Sequence, residues 1–253
     1  MTQVFVADTI VVNIWLCHVD RLGDTVTAAL PAFLDDGERR RNERFVVAWP
    51  RRLHAAAHVL ARTAIAHRLG CDPARVCYGK AATGKPYLIA PAARLTFNIA
   101  HGGNLAVCAV TESFPIGIDV EPVDRPQLTR RLLEGLLAPG EIARLDGLSG
   151  GLLQEALVAL WTGKEAIVKA HGAGLSLPLA SFVVPPGDGA VAMTGVPDAA
   201  PPVWRLHRLC PDDRHRLALA LALSPAEPLE IRTVDATAML SELVVRQGMA
   251  GSA

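Results

Sequence analysis

Net charge is the first thing this sequence lacks: its 25 basic and 25 acidic residues cancel. A neutral chain has no global attraction for nucleic acid or an anionic membrane, so any affinity for phosphate must be built locally. Long apolar runs are missing too. Hydrophobic residues make up 51% of the chain, yet no run approaches the roughly 20 residues that span a bilayer. The amino-terminal stretch contains Asp8, Asn13 and Asp20 and has no basic segment ahead of its apolar part, so it does not read as a secretory signal. Cysteine is sparse: Cys17, Cys71, Cys77, Cys108 and Cys210 are odd in number, far apart, and form no C-x-x-C pair. Neither a disulfide framework nor a zinc site is expected, and reduced thiols fit a cytoplasmic protein.

What is present is alternation and helical periodicity, twice over. Val4 to Leu16 is rich in Val and Ile and reads as a strand, followed by a basic stretch from Glu38 to Arg44. Leu53, Ala57, Leu60, Ala64 and Ile65 recur at helical spacing between Arg51 and Leu69, closed by Gly70. Strands are expected at Leu95 to Asn98 and Leu105 to Val110, with the turn at His101 to Asn104. The second half repeats the order: a helix from Leu152 to Ala170, then strands at Val203 to Leu209 and Leu217 to Leu223. Helix then strand pair, twice at a separation of about 110 residues, indicates an internal duplication with its boundary between Glu112 and Ile116. The expected division is 1–114, 115–224 and a less patterned extension, 225–253. In that extension Glu230 to Gln247 reads as a strand and short helix, and Gly248 to Ala253 as disordered.

Three clusters could carry chemistry. In Pro115-Ile-Gly-Ile-Asp119-Val-Glu121, apolar residues alternate with Gly117, Asp119 and Glu121, so the two carboxylates share one strand face. Two close like charges repel and are costly to bury unless a cation lies between them; a hard ion such as Mg2+ is one answer, a solvated strand end the other. Trp161, Glu165 and Lys169 are spaced by four and share a helix face, which an ordinary surface Glu–Lys pair also explains. His101, before Gly102 and Gly103, could contact a phosphate or sit idle at a turn, and the same holds for Lys85 in Gly84-Lys-Pro86. Glu141 reads as an acid in the first turn of a helix, where the helix dipole alone accounts for it.

Taken in order, Gly84-Lys-Pro86, Phe97-Asn-Ile-Ala-His101, Gly117-Ile-Asp-Val-Glu121 and Trp161-Thr-Gly-Lys-Glu165 through Lys169-Ala-His-Gly172 resemble the surfactin-type 4'-phosphopantetheinyl transferases. The motifs cover residues 30 to 185, and the likeness extends loosely to 223. The resemblance implies an enzyme that moves the 4'-phosphopantetheine arm of coenzyme A to a serine of an acyl or peptidyl carrier protein, releasing 3',5'-adenosine bisphosphate. It implies an α/β (α+β) pseudo-dimer. Each subdomain would be a small, mostly antiparallel sheet on a long helix, with coenzyme A between the two.

By position, Asp119, Glu121 and Glu165 are implied Mg2+ ligands, and Lys169 the group that neutralises the pyrophosphate. Arg41, Arg52, His54, Lys85, His101 and Lys164 are implied coenzyme A contacts. Glu165, then Glu141, is the candidate base for the serine proton.

Two positions depart from the family: Ala100 replaces a serine before the histidine, implying one lost phosphate contact, and Glu38 replaces a basic residue, implying a contact shifted to Arg39–Arg41. Arg125, Arg130 and Arg131, with Leu132, Leu133, Leu136 and Leu137, are candidates for a carrier-protein rim, or for a buried helix with solvated arginines. The internal repeat favours a monomer. The alternatives are a non-catalytic binder of coenzyme A or carrier protein, and a Mg2+-dependent nucleotide phosphohydrolase.

Overall fold

The computed structural model describes residues 9–112, 114–193, 203–224 and 227–250. The first half runs β1 (Ile10–His18), α1 (Asp24–Ala29), α2 (Asp36–Glu43), α3 (Ala48–Leu69), β2 (Cys77–Lys80), β3 (Pro86–Ala90), β4 (Thr96–Gly102) and β5 (Leu105–Thr111). The second runs β6 (Ile116–Pro122), α4 (Arg130–Leu133), α5 (Pro139–Ala143), α6 (Gly150–His171), β7 (Gly189–Ala192), β8 (Val203–Asp212) and β9 (His215–Leu221), and the chain continues into β10 (Leu229–Asp235) and α7 (Thr237–Ala250).

The duplication is visible in the strand order. One sheet is β10-β1-β5-β4 and the other β6-β9-β8-β7. Matching β1 with β6, β5 with β9 and β4 with β8 superposes the two orders, and in each half the long helix follows the first strand. The expected pseudo-dimer of α/β units is the observed fold. Both long helices stop at a left-handed glycine, Gly70 at φ +62° and Gly172 at φ +82°.

Alternation sorts the side chains into layers. On β1 and β5, Trp15, Cys17, Ala106, Cys108 and Val110 join the core under α3. Their neighbours Ile14, Leu16, Val107 and Ala109 face the other way and meet Ile116, Ile118, Val120, Leu217 and Leu219 of the second sheet. The two sheets are thus packed face to face with a long helix outside each. Both faces of each sheet are apolar, so each half depends on the other to keep its inner face from water.

Four features differ from expectation. β4 runs on through His101 and Gly102, so the turn shrinks to Gly103-Asn104, with Gly103 at φ +60°. The carboxyl-terminal extension is no appendage: β10 pairs in parallel with β1, and Leu240 and Val244 of α7 enter the first half's core. The helix runs through Ala250 where disorder was expected, while residues 251–253 lie outside the described residues. The expected strand from Val4 begins at Ile10, and residues 1–8 are likewise outside the described residues.

Candidate active site

Gly117 decides where the acids go. A Cβ there would overlap the Ala166 carbonyl and the Ala170 amide, so its absence lets α6 lie directly on β6. Asp119 and Glu121, in the same row, then face Glu165 and Lys169 on the helix. Asp119 is 5% exposed; one carboxylate oxygen accepts from Lys169 Nζ at 2.6 Å, and Oδ2 is buried with no partner. Burial raises its pKa against the pull of Lys169. Glu121 pairs with Arg125 and is bonded by Trp161, yet burial and the Asp119 charge push it up to about 7. Glu165 is raised by burial and then by Asp119. Two cations, Lys169 and Arg125, therefore face three acids, with Asp119 repelling each of the other two. Among the described residues no three acid, imidazole or thiol groups converge as a ready-made metal cage.

Beside this cluster, at the β4 edge between the halves, lies a cleft of about 420 Å³. The first half contributes Arg41, His54, His58, Lys80, Lys85 and His101; the second contributes Glu165, Lys169 and Gly172. His54 is 3% exposed; Asn42 Nδ2 lies 3.2 Å from its Nδ1, and its Nε2 has no partner. Burial, then the charge of His58, drops its pKa to about 3. His101 presents part of its ring to solvent, but the cleft walls and the neighbouring Lys169 lower it to about 4. Burial brings Lys85 down to about 8. A chain without net charge has brought Arg41, Lys80, Lys85 and Lys169 together here. A larger cavity of about 700 Å³ lies at the other end of the first sheet, around Trp15, His67 and Arg68, and includes none of the acid cluster.

The profile of the 4'-phosphopantetheinyl transferase superfamily matches residues 115–221, and that of the 4'-phosphopantetheinyl transferase N-terminal region matches 24–113. Over 214 residues the chain is 31% identical to the 4'-phosphopantetheinyl transferase HetI of Nostoc sp., covering 83% of this chain and 87% of that protein. It is 36% identical over 164 residues to a 4'-phosphopantetheinyl transferase of Bacillus subtilis (65% and 71% covered), and 28% identical over 194 to Sfp of Bacillus subtilis (76% and 84%). The chain belongs to the 4'-phosphopantetheinyl transferase superfamily. The two matched regions meet at residue 114, between β5 and β6.

In this transferase several expected residues stand elsewhere. Lys164 is 1% exposed and turned to the far side of α6, where it pairs with Glu141 at 2.7 Å and donates to the Leu179 carbonyl at 2.7 Å. Adjacent helix residues point about 100° apart, so Lys164 cannot share the cleft face of Glu165. Glu141, 0% exposed, also accepts from the Ala138 and Val184 amides, so its carboxyl is taken up in holding the fold and lies outside the cleft. Arg52 pairs with exposed Asp24 at 2.8 Å, outside the cleft. The Ala100 methyl is buried in the layer between the sheets, facing away from the helix side on which His101 sits, so no phosphate contact is lost there. Glu38 is buried, closes a capping box with Asp35, and pairs with His58 and Arg62, leaving Arg41 as the cleft residue of α2. Of the carrier-rim candidates, Leu133 and Leu137 are core, Arg125 is engaged by Glu121, and Arg130 by Glu134 and Asp146. Arg131 and Leu132 stay exposed.

Sequence reasoning missed Lys80 and the structural part played by Asn98, and it placed Arg125 on a carrier-protein rim instead of against the acids. Asn98 lies within the histidine motif and accepts from the Ile118 amide at 2.9 Å, tying β4 to β6. Arg125, four residues after Glu121, could have been found as the acid's counter-ion.

No helix among the described residues is long and apolar enough to cross a membrane, and all five cysteines are free.

Proposed function

We propose that this transferase moves the 4'-phosphopantetheine arm of coenzyme A onto a serine hydroxyl of an apo acyl or peptidyl carrier protein, with Mg2+ required and 3',5'-adenosine bisphosphate released. The observation that carries the reading is the junction of three under-neutralised carboxylates with a cationic cleft that bears unpartnered imidazole. The acids suit a hard divalent ion: all donors are oxygen, Asp119 Oδ2 is buried without a partner, and burial, then the Asp119 charge, raises Glu121 and Glu165, so a cation would be well received there. Asp119, Glu121 and Glu165 would hold it. An ion held there would supply Lewis-acid polarisation of the phosphoryl group and support for the leaving oxygen.

The remaining steps belong to the chain. Arg41, His54, Lys80, Lys85 and His101 bind and orient the phosphates of coenzyme A, and positioning supplies much of the rate in phosphoryl transfer. The serine oxygen bonds to phosphorus as the P–O bond to the adenosine bisphosphate breaks. Glu165 takes the serine proton, a role its raised pKa favours. Lys169 turns from Asp119 to the pyrophosphate and neutralises the charge that develops on the leaving group. The protein acts as a monomer, its two halves supplying the two walls of one cleft.

Mass spectrometry of an apo carrier protein incubated with the enzyme, coenzyme A and Mg2+ tests the reading. A mass gain of one phosphopantetheine arm, lost on chelation, supports it. An unmodified carrier with coenzyme A still bound indicates a binder, and coenzyme A breakdown without carrier modification a hydrolase.

A further inference from the structure

The β2–β3 hairpin reaches across from the first half, and its tip is closed by two backbone bonds, Ala81 N to Lys85 O at 2.9 Å and Gly84 N to Ala81 O at 2.8 Å. From this tip the Lys85 side chain extends to the carboxyl end of α6, where Nζ donates to the Ala170 carbonyl. The last carbonyls of a helix have no partner within the helix and carry the negative end of its dipole, so an ammonium group is well received there. An ammonium has three donors; one is used, and two remain for a cleft ligand.

The receiving surface is cut for this side chain. A Cβ on Gly172 would stand 2.9 Å from Lys85 Cδ, and one on Gly174, at φ +58°, 3.3 Å from the Thr83 carbonyl. The corresponding glycine of the first half gives the comparison: Gly70 caps α3 at φ +62°, and nothing lies within 4 Å of its missing Cβ. Helix capping accounts for both glycines, but only Gly172 also makes room for a side chain from the other half.

We propose that Lys85, seated in the notch at Gly172, is a positioning residue that clasps the β2–β3 hairpin to the end of α6, fixing the width of the cleft and the place of its own ammonium group. The clasp rests on the reading of this cleft as the coenzyme A site. It assigns Gly172 a function beyond ending a helix: the glycine acts on the ligand through Lys85.

A double-mutant cycle read by calorimetric coenzyme A binding tests this, with hydrogen exchange of the hairpin amides as a second measurement. Gly172→Ala should weaken coenzyme A about tenfold, whereas Gly70→Ala, with the same backbone strain and no side-chain neighbour, should change it less than about twofold. In a Lys85→Met background the Gly172→Ala loss should vanish. Lys85→Met and Gly172→Ala should each speed exchange at residues 81–85. Additive losses in the cycle, or hairpin exchange unchanged by Lys85→Met, overturn the clasp. If Gly172→Ala fails to fold, exchange in Lys85→Met still decides it. A wild-type protein that does not bind coenzyme A sinks the functional reading instead, and the exchange measurement stands apart from that result.

Discussion

Glu121 shows how a single residue records the demand for a cation. Its pKa of about 7 stands above the ordinary 4.5 because burial and Asp119 disfavour its charge more than Arg125 and Lys169 favour it. A folded-state pKa above the unfolded one means that the native protein holds the proton more tightly. Stability from this residue is therefore greatest below pH 4.5 and falls as pH rises to 7. Glu121→Gln should be more stable than the wild type at pH 8, by on the order of 2 kcal/mol, and should lose most of that advantage at pH 5. Urea denaturation at both pH values checks this; an advantage of equal size at the two would show that the charge is not responsible. Asp119 makes the complementary case. Asn in its place keeps an acceptor for Lys169 but removes the buried negative charge, so Asp119→Asn should abolish turnover while changing stability by less than about 1 kcal/mol. Turnover near wild type would remove Asp119 from the proposed metal site.

At the scale of elements, the sequence was most legible where periodicity and packing agree. The strand β6 and the cleft face of α6 could be read because Gly117, Asp119 and Glu121 alternate and Trp161, Glu165 and Lys169 recur by four, and burial later followed the same periods. The inward roles of Lys164 and Glu141 were not read, because a motif groups neighbours in sequence while a helix sends them to different faces. β10 was half legible: an edge strand leaves one backbone side unpaired and shows weak alternation, and no local pattern names a parallel partner as distant as β1. The docking of α2 on α3 was missed for a similar reason. Its centre is Glu38, buried, with His58 Nδ1 at 2.7 Å and Arg62 at 2.9 Å, contacts that span the loop between the helices. Burial opposes the Glu38 charge, but bonds and charges from His58 and Arg62 outweigh it and hold the carboxyl well below its usual range. A depressed acid stabilises the fold above its ordinary pKa and withdraws that support as pH falls. Glu38→Gln should therefore cost about 3 kcal/mol at pH 7, since it removes the buried anion that His58 and Arg62 share, and the gap from wild type should narrow below pH 4.5. Denaturation midpoints across pH 3 to 7 measure it; a gap that does not narrow would point to lost shape and not lost charge.

Over the whole molecule, neutrality and phosphate binding are reconciled by sorting charge instead of adding it. Face-to-face packing of the two apolar sheets leaves the β4 edge open between α3 and α6, and basic groups from both halves gather there without altering the total of 25 and 25. Burial, reinforced by this crowding, holds His54 at about 3 and His101 at about 4, so both imidazoles are neutral at physiological pH. A polyanion entering the cleft reverses the balance: each phosphate favours the charged imidazole and raises its pKa toward or beyond the ordinary 6.5. Binding and protonation are then linked, and coenzyme A should bind more tightly at pH 5.5 than at pH 7.5 with uptake of protons from solution. Calorimetry at pH 6 in buffers of different ionisation enthalpy reads that uptake directly as a buffer-dependent heat. His54→Gln and His101→Gln should each remove part of it, and added salt should weaken binding more than it changes the unfolding midpoint, because the charges involved face the cleft. A heat of binding that does not vary with buffer would mean that neither imidazole meets a phosphate, and the anion site would have to be sought among Arg41, Lys80 and Lys85 alone.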